Sequence, residues 1–184
     1  TTPYAFLWDG GQTDEDRTTL SAATYTVTTT DLNGCTATAS ITISTNANPT
    51  PTVADDAICD GASATFDAGV YSGYSWSDGT NGQTIIKTAA GTYTVTVSDG
   101  NGCTGSDVAT LTVYTNPSAA IANDNGLALD CSIPSTTLTA SGGTSYAWDG
   151  GSTDAALVVS TAGIFTVTVT AANGCTSSTT ETAT

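Results

Sequence analysis

Histidine and methionine are absent from this 184-residue chain, and Arg17 and Lys87 are its only basic side chains against 17 acidic ones. Each absence excludes something. Without histidine there is no Ser-His-Asp or Cys-His catalysis and little zinc chemistry. A formal charge of −15 with two cations leaves nothing to neutralise phosphates, which excludes nucleic acid as a natural partner. The same balance opposes docking on an anionic membrane surface. No apolar run approaches the ~20 residues of a membrane span, so no membrane insertion is expected, and no signal peptide is visible. Thr1 stands where a start Met would be, which reads as a mature or internal piece of something longer.

Charged residues make up only 10% of the chain, yet 39% is hydrophobic, concentrated in short alternating runs. Thr and Ser fill nearly a third of it. β-Branched Thr, Val and Ile dominate the runs, and Gly/Asn/Asp clusters separate them, which is the pattern of short strands and tight turns. No segment holds helical spacing over three turns. The fold class is all-β.

Repeats organise the chain. Asn-Gly-Cys occurs at Asn33-Gly34-Cys35, Asn101-Gly102-Cys103 and Asn173-Gly174-Cys175. Ten residues before each cysteine stands an aromatic (Tyr25, Tyr93, Phe165), and 27 before it a Trp (Trp8, Trp76, Trp148). A further Cys lies 17 residues before the Trp in copies two and three, Cys59 and Cys131, giving periods of 68 and 72 residues. Pro49, Pro51 and Pro117 mark linkers, since a fixed φ and a missing donor stop strands. The expected division is 1–47, a partial repeat with only its C-terminal strands, then 48–116 and 117–184 as complete ones.

In copy two the expected strands are 52–57, 63–67, 74–77, 84–88, 92–98 and 107–113. The Asn-Gly pair supplies the positive φ that a tight hairpin needs. Trp8, Trp76 and Trp148, with Tyr25, Tyr93 and Phe165, are the predicted core, and Thr94 and Thr96 should face water. About seven strands in ~70 residues reads as tandem immunoglobulin-like β-sandwich repeats. Such small cores are marginal without a staple.

The run Pro3-Tyr4-x-Phe6-x-Trp8 through Leu20-x-Ala22, Tyr25-Thr-Val-Thr and Asn33-Gly34-Cys35-Thr36-Ala37-Thr38 resembles the SprB-type repeat of gliding-motility adhesins. Copies two and three are similar to the polycystic-kidney-disease-like repeats of giant Bacteroidota surface proteins. The resemblance implies export by a type IX-like route and display on the cell surface. Two departures stand out: Ala22-Ala23 where the pattern prefers Ala-Gly, and a polar last strand over 176–184.

The cysteines point to disulfides, because no C-x-x-C is present and the chain reads as exported. Two connectivities fit the spacings. Pairing within repeats joins Cys59 to Cys103 and Cys131 to Cys175. However, the first turn and last hairpin of a sandwich lie at opposite poles, ~17–20 Å apart, and a disulfide needs Cα atoms within ~7 Å. Pairing across repeats joins Cys59 to Cys175 and leaves Cys131, Cys35 and Cys103 for neighbouring repeats; the pole geometry favours it. In either scheme Cys35 has its partner outside the chain.

Other candidates are weaker. Asn123-Asp124-Asn125 is a candidate calcium linker, although no D-x-D-x-D-G loop is present; no other cofactor is expected. The carboxylate pairs Asp9/Asp14 and Asp149/Asp154 read as turn residues rather than a hydrolytic pair, so no enzyme activity is expected. Tyr71 and Tyr114 lack counterparts in the other copies and read as linker aromatics between repeats. The leading expectation is a structural segment of an extracellular fibre or cell-surface adhesin. Its partners would be neighbouring repeats of the same protein. The alternative is a secreted module that binds polysaccharide through exposed aromatics.

Overall fold

In the computed structural model, which describes residues 4–184, the alternating runs become fifteen strands, with no helix among the described residues. The first repeat supplies one antiparallel sheet of β1 (Ala5–Trp8), β2 (Ala23–Thr30) and β3 (Thr36–Ile43). The second supplies β4 (Asp56–Cys59), β5 (Ala64–Asp67), β6 (Gly73–Trp76), β7 (Thr84–Lys87), β8 (Gly91–Ser98) and β9 (Thr104–Tyr114). These build a four-stranded sheet, β4-β9-β8-β6, and a two-stranded sheet, β5-β7. The third supplies β10 (Ala120–Asn123), β11 (Thr136–Ser141), β12 (Ser145–Trp148), β13 (Ala156–Val159), β14 (Gly163–Thr170) and β15 (Thr176–Ala183), in sheets β10-β11-β13 and β12-β14-β15. The chain is a tandem of immunoglobulin-like β-sandwich repeats.

Each later repeat forms six strands rather than about seven, and the expected strand at 52–57 is displaced to Asp56–Cys59. Pro49 and Pro51, without N–H, keep the chain before residue 52 out of a ladder, and the Val53 and Thr110 N–H groups go to the Asp107 and Asp55 carboxylates rather than to backbone carbonyls. The equivalent stretch of the third repeat has no proline, and there β10 pairs antiparallel with β11. In the second repeat the entering chain instead crosses Gly105, where a Cβ would stand 1.8 Å from the Pro49 carbonyl oxygen. It then joins β9 in parallel, Asp56 opposite Leu111 and Cys59 opposite Tyr114.

Alternation places Trp76, Val95, Val97, Ala109 and Leu111 on the inner face of one sheet, where they meet Ala64, Phe66 and Ile85 of the other. Trp148, Val167, Val169, Leu138 and Val159 repeat the arrangement. Tyr93 and Phe165 are only half-buried and close the margins of these cores. Thr94 and Thr96 are half-buried too, rather than facing open water, because β9 lies alongside and the Thr96 and Ser106 hydroxyls bond across the strands at 2.9 Å.

The recurring Trp and Tyr also make recurring hydrogen bonds from side chain to backbone. Each indole Nε1 donates to the carbonyl six residues on: Trp8 to Asp14, Trp76 to Gly82, Trp148 to Asp154. The Tyr25 and Tyr93 hydroxyls donate to the carbonyls of Ser21 and Ala89, four residues back, which is the tyrosine-corner bond of immunoglobulin-like sandwiches. Phe165 has no hydroxyl and omits it. Antibody domains carry a core cysteine two residues after that tyrosine; here Val27, Val95 and Val167 stand there. The cores are apolar, and the cysteines sit at the poles.

The first repeat differs. Phe6, Trp8 and Tyr25 lie on one face of a lone sheet, with Trp8 half-buried and Tyr25 at 9% exposure. Arg17 occupies the place of Ile85 and Leu157, counted from the Trp. Its guanidinium lies 5.5 Å from the Trp8 ring and 4.8 Å from the Tyr25 ring, capping both by cation–π contact.

Candidate functional site: the junction between repeats

The site begins with the Asn-Gly-Cys turn. In all three copies the residue four before the cysteine donates its N–H to the cysteine carbonyl and accepts from the glycine N–H. Gly34, Gly102 and Gly174 take φ of 82°, 83° and 84°. A side chain is disfavoured there, so the glycine holds each cysteine at the tip of its hairpin. Asp31 and Asp99 further cap their turns by accepting from Cys35 and Cys103 N–H at 2.8 Å; in the third turn, where Ala171 stands, Cys175 N–H donates to Asn173 Oδ1 at 3.1 Å instead.

Within the second repeat, Cys103 immediately precedes β9 and Cys59 pairs with Tyr114 at its far end. Eleven residues separate the two poles, about 36 Å at ~3.3 Å per residue. A bond inside the repeat is therefore geometrically impossible. The structure instead joins Cys59 to Cys175 of the third repeat, with Cα atoms 5.6 Å apart and a sequence separation of 116. Cys175 is fully buried at this junction, and the Cys35, Cys103 and Cys131 thiols are free. The linker is tied to the same corner. Asp60 N–H donates to the Tyr114 carbonyl at 2.8 Å, and Asn116 Nδ2 donates to the Asp60 carbonyl at 3.0 Å.

Two carboxylates rivet the entering chain to β9, and nothing in the sequence marks them. Asp107 accepts from Val53 N–H at 2.6 Å, and Asp55 accepts from Thr110 N–H at 2.7 Å. They lie more than fifty residues from their partners, so only the fold brings them together.

The calcium candidates do not sit between repeats. They lie where the chain leaves β10, and the oxygens of Asn123 and Asp124 serve the local turn and the start of β11. Asp124 accepts from Thr137 N–H and Thr136 Oγ1, and Asn123 accepts from Gly126 N–H. Asn125 is exposed. Among the described residues no three His, Cys, Asp or Glu side chains converge. Asp9 and Asp149 accept from the N–H of Thr26 and Thr166, while Asp14 and Asp154 offer their carbonyls to the indoles. Tyr71 is not on a linker; it follows β5 and packs on the second core. Tyr114 ends β9 at 40% exposure. Trp76 and Trp148 are each 3% exposed, which removes them as a stacking platform for sugar rings.

Six carboxylates are held below their usual range: Asp67 by Gln83, Asp78 by Lys87, Asp107 by Val53 N–H, Asp124 by Thr137 N–H, Asp130 by Ser132, and Asp99, against desolvation, by the N–H groups of Cys103 and Asn101. Asp78 falls to about 2, helped by Thr80. A lowered folded value means that the stabilisation is complete above the ordinary carboxylate range and lost as pH falls through the folded one. Relief of repulsion among the acidic side chains acts in the opposite direction, so the difference between wild type and Asp78→Asn isolates this group. Denaturant melts should show that difference at about pH 5 and its disappearance near pH 2; a constant difference would contradict the assignment.

No protein-family model matches the chain, and no curated protein matches it. Some solved structures align with it. A Ca2+-stabilized adhesin of an Antarctic bacterium aligns at TM-score 0.43 and 18% identity, over 88% of this chain and 56% of that one. A 1.5-MDa bacterial ice-binding adhesin aligns at 0.38 and 14%, over 76% and 65%. The first four immunoglobulin domains of Sidekick-1 align at 0.35 and 12%, over 99% and 67%.

Proposed function

We propose that this chain is a non-enzymatic structural segment of an extracellular fibre or cell-surface adhesin, of the SprB-type or polycystic-kidney-disease-like repeat class. Its repeats are bounded at 1–47, 48–116 and 117–184. One observation carries the reading: the disulfide joins two repeats rather than the two sheets of one. A bond inside a sandwich protects that sandwich, whereas a bond across a junction fixes the angle between neighbours and reroutes tension. Load entering before Cys59 passes through sulfur to Cys175 and leaves along β15, bypassing the segment between the two cysteines and with it most of both apolar cores. A stalk that holds a distal tip away from a cell needs this property. A disulfide also requires an oxidising compartment, which supports an extracellular location. Threonine-rich outer strands and an acidic surface suit solvation there and keep neighbouring fibres apart.

Single-molecule pulling between the chain ends tests this. The oxidised chain should withhold the segment between Cys59 and Cys175, 116 residues or about 400 Å of extended backbone, and reductant should release it. Equal extension with and without reductant would show that the bond bears no load. Saturable binding on a glycan array would move the reading to a polysaccharide-binding module.

A further inference from the structure

We infer that Cys131 is the open half of a second staple, which closes on the hairpin cysteine of an Asn-Gly-Cys repeat seated against the far pole of the third repeat. Cys35 and Cys103 are hairpin halves of the same kind, facing the opposite way. The inference rests on the stalk reading and adds the partner and polarity of the free thiols.

The bonded pair is the template. Cys131 follows Cys59 by the same 72 residues that separate Trp148 from Trp76. Its approach is also similar: Leu129 N–H donates to the Thr184 carbonyl and Thr184 N–H to the Leu127 carbonyl, both at 2.7 Å. This is the parallel association that delivers Cys59 to the end of β9, here one residue out of register. Cys131 is therefore at the pole where the third repeat ends, and it is exposed. It cannot reach Cys175, which precedes β15 at the other pole and is already bonded. On the partner side, the three hairpins share their backbone turn hydrogen bonds and glycine φ, so any of them presents its sulfur as Cys175 does. Closure converts two thiols into one disulfide and releases two protons and two electrons. A small-molecule disulfide such as oxidised glutathione accepts them and is cleaved to two thiols.

The staple is directional. First-turn cysteines reach forward and hairpin cysteines reach back, so like never pairs with like. Repeats stapled in this sense form a head-to-tail array rather than a closed dimer.

The test extends the full chain at its C-terminus with a second copy of residues 113–184. The added hairpin cysteine then stands at the same 116-residue separation from Cys131 as Cys175 from Cys59. After refolding in a glutathione redox buffer, non-reducing peptide mapping should find Cys59–Cys175 together with Cys131 bonded to the added hairpin cysteine. Alkylation of Cys131 should fall at least about tenfold against the unextended chain. In the extended chain carrying Cys175→Ser, the Cys131 bond should persist and Cys59 should be free. Retention of Cys59–Cys175 with a reduced Cys131, or Cys131 bonded to Cys35 or Cys103, overturns the inference alone. Absence of both bonds from a folded chain overturns the stapled-stalk reading beneath it.

Discussion

Cys59→Ala should lower the stability of the two later repeats by about 4–5 kcal/mol, the chain-entropy value for closing a loop of this length. The bond spans 116 residues and so confines an unfolded segment that includes nearly all of both cores. Cys175→Ala should cost a similar amount, and the double variant should cost no more than the larger single one, because each removes the same bond. The shape of the transition should change as well. With the staple, the two repeats share one closed loop and melt together; without it they should separate into two transitions in urea. A loss under about 1 kcal/mol, or strictly additive single variants, would show that the bond contributes little to the folded state.

Trp148→Ala and Trp76→Ala should each cost about 3–5 kcal/mol, the range for truncating a large aromatic in a core. Both side chains are 3% exposed and face residues of the opposing sheet, and both lose an indole hydrogen bond to a carbonyl six residues on. Truncation therefore leaves a cavity and an orphaned acceptor together. Trp8→Ala offers an internal comparison. Its indole makes the same bond to Asp14, but the ring is half-buried on an unpaired sheet and is covered by Arg17. Its cost should be well below that of the other two. Equal losses at all three positions would mean that the lone sheet is packed as tightly as the sandwiches.

The strands, their order and the turn chemistry were legible because they depend on local rules. Alternation of Thr with Val at 93–97 and 165–169 dictates a two-faced strand. Asn-Gly dictates the hairpin tip, and the Trp-to-Cys offset repeats because each Trp pairs in the same register with the strand that leads into the hairpin, Trp8 opposite Val27, Trp76 opposite Val95 and Trp148 opposite Val167. The last strand is a useful case. Its polar sequence, Thr176–Ala183, gives little apolar signal, yet it pairs along its full length with β14 and buries Ala183. Backbone pairing with an eight-residue neighbour decides that strand, and side-chain patterning cannot report it.

Other features required the fold. The proline-rich entrance of the second repeat shifts its first strand toward Cys59. The calcium candidates become turn caps once β11 lies beside them. Asp55 and Asp107 acquire partners more than fifty residues away. The disulfide lies between these extremes. Composition and spacing determine that the cysteines recur at two turn positions and belong to an oxidising environment, but spacings alone fit a bond within a repeat as well as one across repeats. The tertiary structure decides between them for a physical reason. An eleven-residue strand holds Cys59 and Cys103 at opposite poles, and the linker tied down by Asn116 accompanies the junction at which Cys175 meets Cys59.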